Sequence, residues 1–275
     1  YWISDEFREK FAKSTISDDF DVAEGLKTGD NFKYLRFWFE VSLKSKGDIF
    51  KESWIPYAKG GPFKKHAGNL WTVVKFDNNG QDLELDKKSA LNNSHLYFKE
   101  GITFTGAGSK GNSFRKLPIN SIFDTGSRSL FPKENKELQL DYLQGFLNSK
   151  LSSYILDCLN PTVNTTVGDL KRVAYNYYKN IDKDIVSNLT KRNVTIINYI
   201  NSYSLIEINF EKSSLYFNTA NDLKQRISDY LNYENHLLTQ VLINEAIINK
   251  EIFKVYELND NDIKMVLDKE GESIG

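Results

Sequence analysis

The side chains that could carry out chemistry by themselves are few and widely separated. The chain has three histidines, His66, His95 and His236, and none of them has a second ligand at the spacing of a zinc site. The single cysteine, Cys158, lies in an apolar helical pattern and is expected to be a small core residue. One cysteine also excludes an internal disulfide. We therefore predict neither a catalytic centre nor a metal site in this sequence.

A glycine-rich stretch, Gly106–Gly111, matches the G-x-G-x-x-G pattern of dinucleotide-binding loops. Such a site needs a helix directly after the glycines, because the helix N-terminus binds the phosphate. The residues that follow contain Pro118 and are typical of extended structure. In the related P-loop pattern, Asn112 occupies the position of the phosphate-binding lysine. We therefore predict a polar loop here. The alternative, a free-standing enzyme that uses this loop, would require tight binding of ATP or a dinucleotide.

The distribution of charge is more informative than the net charge of −1. Residues 25–132 carry 17 Lys and Arg against 10 Asp and Glu, a surplus of seven positive charges. Residues 1–24 carry 3 against 7, and residues 133–275 carry 16 against 20, so each flank is acidic by four. A basic middle between acidic flanks suits a surface that faces an anion, and chance variation is the alternative.

The hydrophobic patterns divide the chain into a strand-and-loop region and a helical region. Strands are expected within 34–41, 70–76, 97–105 and 113–124, and helices at 4–13, 138–159, 184–201 and 222–256. The predicted fold class is α+β, with a twisted, mostly antiparallel sheet and long loops, followed by a helical C-terminal region. The last helix carries an apolar stripe that is expected to pack as core against the sheet. The stripe consists of Leu223, Ile227, Leu231, Leu238, Val241 and Leu242.

Three glycine-marked loops carry basic and amide side chains, which are the groups that contact phosphates and base edges in DNA. The candidate DNA-binding residues are Thr28, Asn31, Lys33 and Arg36 at the first turn, Lys59, Lys64, Lys65 and Asn69 in the second loop, and Lys110, Asn112, Arg115 and Lys116 in the third. A lysine taken alone is usually a solvated surface charge. The grouping of these residues in three loops therefore supports the prediction.

Several long segments, in order, resemble the recognition region of the PglX-like adenine-specific methyltransferases of BREX phage-defence systems. They are GLKTGDNFKYLRFWFEV (25–41), WIPYAKGGPFKKHAGNLWTVVKF (54–76), residues 97–132, and LQGFLNSKLSSYILDCLNPTVNTTVGDLK (143–171). The last of these is also similar to the specificity domains of TaqI-type enzymes, and residues 244–258 resemble the family's C-terminal helix. The chain departs from the family pattern at Arg172-Val173-Ala174 and by the lack of tryptophans in 193–210.

The resemblance implies a domain that recognises double-stranded DNA while an upstream methyltransferase domain binds S-adenosylmethionine and holds the extruded adenine. The catalytic Asn/Asp-Pro-Pro-Tyr/Phe turn of such enzymes is missing, and Asn160-Pro161-Thr162 is the nearest string. By the family pattern Lys59, Lys64, Lys65, Asn69, Lys110 and Arg115 are expected to contact DNA, with Arg115 reading a base. Thr28, Gly29 and Asn31 are expected to shape the hinge between the two domains.

The same resemblance gives an expected domain organisation. Residues 1–24 would be a helical lead-in from the missing methyltransferase domain, 25–175 the target-recognition domain, and 176–275 a helical region that braces it. The chain is thus expected to be a fragment of a longer polypeptide, not an enzyme by itself and without a cofactor. No signal peptide or apolar run of membrane length is seen, so a cytoplasmic location and no membrane partner are expected.

A different class of function stays open at this stage. The domain could dock other proteins of the defence system or be the target of a phage inhibitor. Clustered aromatic residues, Phe37, Trp38 and Phe39, could serve such an interface, although burial of a strand also explains them. A partner complex that is insensitive to salt would favour this alternative over DNA binding.

Overall fold

The computed structural model describes residues 5–9, 14–41, 54–108, 110–177, 183–220 and 222–272. The strands are β1 (Phe20–Ala23), β2 (Leu35–Phe37), β3 (Trp54–Ala58), β4 (Thr72–Lys75), β5 (Gly101–Phe104), β6 (Phe114–Leu117), β7 (Ile122–Phe123) and β8 (Ser129–Pro132). The helices are α1 (Asp5–Glu9), α2 (Ile16–Asp19), α3 (Asn31–Tyr34), α4 (Gln81–Leu85), α5 (Leu140–Leu147), α6 (Lys150–Leu159), α7 (Val167–Arg172), α8 (Lys183–Asn201), α9 (Leu223–Val255) and α10 (Asp260–Glu270). The α+β class is confirmed.

The strands form two four-stranded sheets instead of the single sheet that was expected. The first has the order β1-β8-β5-β6 and is antiparallel throughout, with Ile102 opposite Leu130. The second has the order β2-β4-β3-β7 and is antiparallel except for the β3–β7 pair. Residues 20–23, in the expected lead-in, supply β1, so this segment contributes an edge strand to the first sheet.

Helices α5 and α6 replace the single helix predicted over 138–159. The break has a physical cause, because Asn148 uses its side chain to pair with the edge strand β6. Its Oδ1 accepts from Phe114 N at 3.0 Å, and its Nδ2 donates to Phe114 O at 2.9 Å. Ser149 then caps α6 by accepting from Ser152 N at 3.3 Å. The helical region is therefore attached directly to the edge of the first sheet.

Helix α9 was expected to bury its apolar stripe, and this prediction is wrong for five of its six residues. Leu223, Ile227, Leu231, Leu238 and Leu242 are 39–56% exposed, whereas Val241 is 6% exposed. At 1.5 Å per residue the helix is about 50 Å long. The α9 residues that join the main core lie in its second half, from Ile248 to Val255. The helix also packs on α8 and on the turn Ser214–Tyr216. Within the described residues, no helix is long and apolar enough to span a membrane.

Candidate nucleic-acid interface

Two of the three predicted DNA-contacting loops lie side by side. His66 N donates to Phe114 O at 3.0 Å, and Lys116 N donates to His66 O at 2.8 Å, so the loop 59–69 runs along the edge strand β6. Between this loop and residues 105–113 there is a cleft of about 370 Å³. The cleft is lined by Gly61, Pro62, Phe63, Thr105, Ala107, Gly108, Lys110, Gly111 and Ser113. Phe63, Thr105 and Ser113 were not among the residues predicted from the sequence to contact DNA.

The path of the loop 59–69 depends on positions that few residue types tolerate. Gly61 has φ of +141°, and a Cβ there would lie 2.8 Å from the Trp71 ring, so the backbone needs glycine. Asn69, a predicted DNA contact, has φ of +61° and is only 2% exposed. Its Nδ2 donates to Pro62 O at 2.8 Å and closes the loop. In this arrangement the amide of Asn69 is buried and shapes the loop.

A buried carboxylate from the helical region fixes one end of this loop. Glu207 is 1% exposed and accepts hydrogen bonds from Asn69 N at 3.1 Å and from Leu70 N at 3.2 Å. It also accepts from Lys64 Nζ at 2.7 Å, while Asn201 Oδ1 accepts from the same ammonium group at 2.9 Å. The charge of Lys64 is therefore already neutralised, and its predicted contact with a DNA phosphate would have to compete with Glu207.

A second carboxylate, Glu245 on α9, holds the middle of the loop. Its Oε1 lies 2.7 Å from His66 Nε2, and its Oε2 accepts from Lys65 Nζ at 3.2 Å. Burial alone would raise the pKa of Glu245, but the hydrogen bond with His66 and the charge of Lys65 outweigh burial and lower it. Glu245 is thus ionised at neutral pH and neutralises Lys65. Neither Glu207 nor Glu245 had a local sequence signal, since each lies more than a hundred residues from its partners.

The third group of candidate residues spans a loop and a strand. Arg115 and Lys116 lie in strand β6, paired with β5, within the strand predicted over 113–124. Arg115 is 1% exposed, which leaves it no direct access to a base edge in this arrangement. Lys116 Nζ forms an ion pair with Asp141 at 3.0 Å. Asn112 Nδ2 donates to Ser153 Oγ at 3.2 Å and so links the loop to α6.

The first predicted turn makes its contacts elsewhere. Thr28 is buried and donates from Oγ1 to Asn31 Oδ1 at 2.7 Å. Lys33 Nζ lies 3.4 Å from Asp86, and Ser89 Oγ donates to Thr28 O at 2.6 Å. These contacts join the turn to residues 82–90 and not to the cleft. Arg36 donates from Nη1 to the backbone oxygens of Phe32 and Leu35, each at 2.7 Å.

The ion pairs divide the predicted basic residues into two groups. Lys33, Lys64, Lys65 and Lys116 each have an acidic partner. Among the described residues no acid pairs with the other four, which are Arg36, Lys59, Lys110 and Arg115. Burial lowers the pKa of Lys59 against the attraction of Asp124. Lys110 is exposed and lines the cleft. The uncompensated positive charge at the cleft is thus held by Lys110 at its surface and by Arg115 behind its wall.

The groups that sequence reasoning set aside as catalytic candidates have structural contacts. Asn160 donates from Nδ2 to Asn164 O and to Asp169, and its Oδ1 accepts from Thr162 N and Oγ1. Cys158 is partly buried against the main core, as expected, and burial raises the pKa of its thiol. Within the part of the chain that the structure describes, no group of three His, Cys, Asp or Glu residues could hold a metal ion.

The ionisation of Asp169 is expected to make the stability of the fold depend on pH. Burial alone would raise its pKa, but hydrogen bonds from Asn160 and Thr166 outweigh burial and lower it to about 2. Because the pKa is depressed in the folded state, the stabilisation is present above the unfolded value and is lost as the pH falls through about 2. We expect Asp169→Asn to lower the free energy of unfolding at pH 7 by about 2 kcal/mol.

Urea unfolding from pH 7 down to pH 2 measures this contribution. The wild-type chain should lose stability relative to Asp169→Asn between about pH 4 and pH 2. Asp157→Asn, which changes a half-exposed surface ion pair with Lys269, is the matched control and should cost less than about 1 kcal/mol. Parallel pH profiles for wild type and Asp169→Asn would show that the hydrogen bonds at Asp169 do not stabilise its charge.

The comparisons with known proteins identify relatives in one class of enzyme. The chain is 29% identical over 258 residues to the adenine-specific methyltransferase BrxX of Escherichia coli O9:H4 (strain HS), a match that covers 93% of the chain and 21% of BrxX. It is 32% identical over 186 residues to the adenine-specific methyltransferase PglX of Lacticaseibacillus casei (strain Zhang), covering 62% of the chain and 15% of PglX. No protein-family profile matches the chain.

The chain is therefore a partial homologue of the adenine-specific methyltransferases BrxX and PglX, and the resemblance predicted from its sequence is confirmed. It spans about a fifth or less of the length of these relatives. Its structure also resembles that of the Type IIL restriction-modification enzyme MmeI in complex with DNA. That likeness has a TM-score of 0.42 and 12% identity, and covers 82% of this chain and 37% of MmeI.

Proposed function

We propose that this chain is the DNA target-recognition domain of an adenine-specific DNA methyltransferase that serves phage defence. The observation that carries the proposal is the match to two adenine-specific methyltransferases. It is supported by a cleft between two loops, at which the charge of Lys110 has no acidic partner among the described residues. In this proposal the methyl transfer takes place in another part of a longer polypeptide, where S-adenosylmethionine would bind. The chain itself supplies contacts to double-stranded DNA.

The arrangement of the cleft supports a role in which loops contact DNA and the helical region positions them. Flipping an adenine out of the duplex costs a few kcal/mol of stacking, so the enzyme needs contacts on both sides of the target base. The loops 59–69 and 105–113 offer one such set on a rigid sheet edge. The first turn, in which Thr28 Oγ1 donates to Asn31 Oδ1, would in this proposal shape a hinge between the two domains.

Binding of duplex DNA by the 275-residue chain across a salt series tests the proposal. We expect the logarithm of the association constant to fall linearly with the logarithm of salt concentration, because bound phosphates release counterions. Sequence preference should increase when the rest of the methyltransferase is present. If neither the 275-residue chain nor the longer methyltransferase bound duplex DNA at low salt, the proposal would be contradicted. Binding that is insensitive to salt would favour a protein partner instead.

A docking role has one specific observation in its favour, the exposed apolar stripe on α9. Its occupant would be the remainder of the methyltransferase polypeptide, since about four fifths of the length of BrxX lies outside the match. Leu231→Glu and Leu238→Glu, on this stripe, should then weaken association with a separately produced remainder and leave DNA binding by the isolated chain unchanged. Unchanged association would exclude the stripe as that interface.

A further inference from the structure

Arg115 is a buried cation without an ion-pair partner. It is 1% exposed, and no carboxylate among the described residues lies within ion-pair distance. Burial lowers its pKa to about 10, which leaves the guanidinium charged at neutral pH, and Glu207 acts on it only as a more distant charge. Burying a charge without a counter-charge is costly. A charge kept in such a place therefore suggests that an anion from outside the chain offsets it.

The guanidinium is in contact with the wall of the cleft. Its Nη2 donates to Thr105 Oγ1 at 3.2 Å, and its Nη1 donates to Ser113 Oγ at 3.3 Å and to Ser113 O at 3.1 Å. Its Nε is buried and has no hydrogen-bond partner. Thr105 and Ser113 both line the cleft. The positive charge is thus hydrogen-bonded to the hydroxyl groups of two residues that line the open space.

The two hydroxyl groups differ in what their own hydrogens already bind. A hydroxyl that accepts a hydrogen bond keeps its own hydrogen for a second partner. Ser113 Oγ has no acceptor for that hydrogen among the described residues, and Thr105 Oγ1 donates to Gly61 O at a long 3.3 Å. A hydrogen bond from a cation strengthens the donor ability of the group that accepts it. The wall therefore presents one polarised donor, the Ser113 hydroxyl, and a second, the Thr105 hydroxyl, that becomes available when its long hydrogen bond to Gly61 O is released.

The rest of the cleft also suits an anion. Lys110 is exposed at the lining, and none of the described lining residues is acidic. Gly108 and Gly111 have open space above their Cα atoms, so a ligand can approach the backbone closely. Asp157 lines a smaller adjoining cavity, but its charge is paired with Lys269 at 3.0 Å. A cleft of about 370 Å³ has room for a phosphodiester group and part of an adjoining sugar.

We propose that the cleft is a subsite for one DNA backbone phosphate, bound by the hydroxyls of Ser113 and Thr105 and by Lys110, with Arg115 as the positioning residue behind them. The proposal rests on the proposed function and replaces base reading by Arg115 with an indirect role. Phosphate contacts fix the register of a protein on DNA and carry no sequence information directly. Loss of this subsite should therefore weaken binding to all sequences alike.

Titration of the ¹⁵N-labelled chain with inorganic phosphate, at constant ionic strength against chloride, tests the anion chemistry without DNA. We expect amide shifts concentrated at residues 61–63 and 105–113. Lys110→Ala and Thr105→Val should weaken phosphate binding on the order of tenfold, since each loses a hydrogen bond to a charged group. Thr105→Ser keeps the hydroxyl and should retain binding. Shifts spread evenly over the protein, or equal affinity in all variants, would overturn the subsite.

Arg115 needs a conservative variant, because a substitution at a buried residue can also destabilise the fold. We expect Arg115→Met to lose phosphate binding and Arg115→Lys to restore part of it, with the two compared at temperatures well below both melting transitions. A purely structural role predicts that binding follows the melting temperature of each variant. Equal phosphate affinity in folded Arg115→Met and wild type would overturn the positioning role.

A salt series with duplex DNA identifies the source of the phosphate. Lys110→Ala should lower the salt slope by about 0.9, the value for one lost phosphate contact. Lys250→Ala, an exposed lysine on α9, is the matched control and should leave the slope unchanged. Duplex binding with an unchanged slope in Lys110→Ala would overturn the subsite and leave the proposed function intact. Phosphate binding without any duplex binding would overturn both the function and a DNA source for the phosphate.

Discussion

Replacing Glu207 by Ala is expected to lower the free energy of unfolding by about 3 kcal/mol, because Asn69 N, Leu70 N and Lys64 Nζ lose a buried charged acceptor. The same change should weaken duplex DNA binding, because the loss of the loop's anchor outweighs the release of Lys64 from Glu207. The loop 59–69 forms one wall of the cleft, and Glu207 fixes its end. Urea unfolding and DNA titration of the same preparation measure the two effects.

Two variants separate the loop from a general loss of stability. Glu207→Gln keeps an acceptor for the backbone groups and should recover part of the stability, and Glu211→Ala, an exposed neighbour, should be neutral. DNA affinity should rank as wild type, Glu207→Gln and Glu207→Ala at a temperature where all are folded. If Glu207→Ala destabilises the chain but binds DNA like wild type, the contacts of Glu207 with the loop 59–69 do not affect DNA binding.

Among the described glycines, Gly25 is the one at which replacement by Ala is expected to have the largest effect on stability. The added Cβ would overlap with the backbone oxygen of Phe123, which cannot rotate away as a flexible side chain would. Relief requires β7 to move, and this would disturb the hydrogen bond from Leu26 N to Phe123 O, 2.8 Å long. We expect a loss of about 3 kcal/mol or more.

Gly108→Ala is the matched control for Gly25→Ala. A Cβ at Gly108 meets no atom within 4 Å, and its φ lies outside the positive range. Its melting temperature should equal that of the wild type. A similar melting temperature for Gly25→Ala and Gly108→Ala would mean that β7 and the strand segment at Gly25 do not pack as closely as described.

Much of the fold was predicted from local sequence patterns. The 3.6-residue periodicity located α8 and α9, and the change from strands to helices near residue 135 gave the α+β class. The break between α5 and α6 was missed, because it depends on Asn148 binding the backbone of Phe114, a residue on a strand 34 positions away. The α9 stripe shows a further limit, since an apolar face predicts what could be buried but not whether another element covers it.

The candidate site divides in the same way. Glycines and lysines marked the two loops that form the cleft, because turns and surface charge have local signatures. The sequence could not show which of these lysines form ion pairs. Lys64 and Lys65 are neutralised by Glu207 and Glu245, which are distant in sequence. Arg115 was grouped with the basic residues expected to contact DNA, whereas in strand β6, paired with β5, it is buried.

Hydrogen–deuterium exchange of the chain with and without duplex DNA tests the central claim most directly. At low salt we expect added protection at residues 59–69 and 105–113, and little change at 82–90 or along the exposed stripe of α9. Protection confined to the two cleft loops is the result that the DNA-recognition account predicts. Protection that appears on the α9 stripe and leaves both cleft loops unchanged would contradict it.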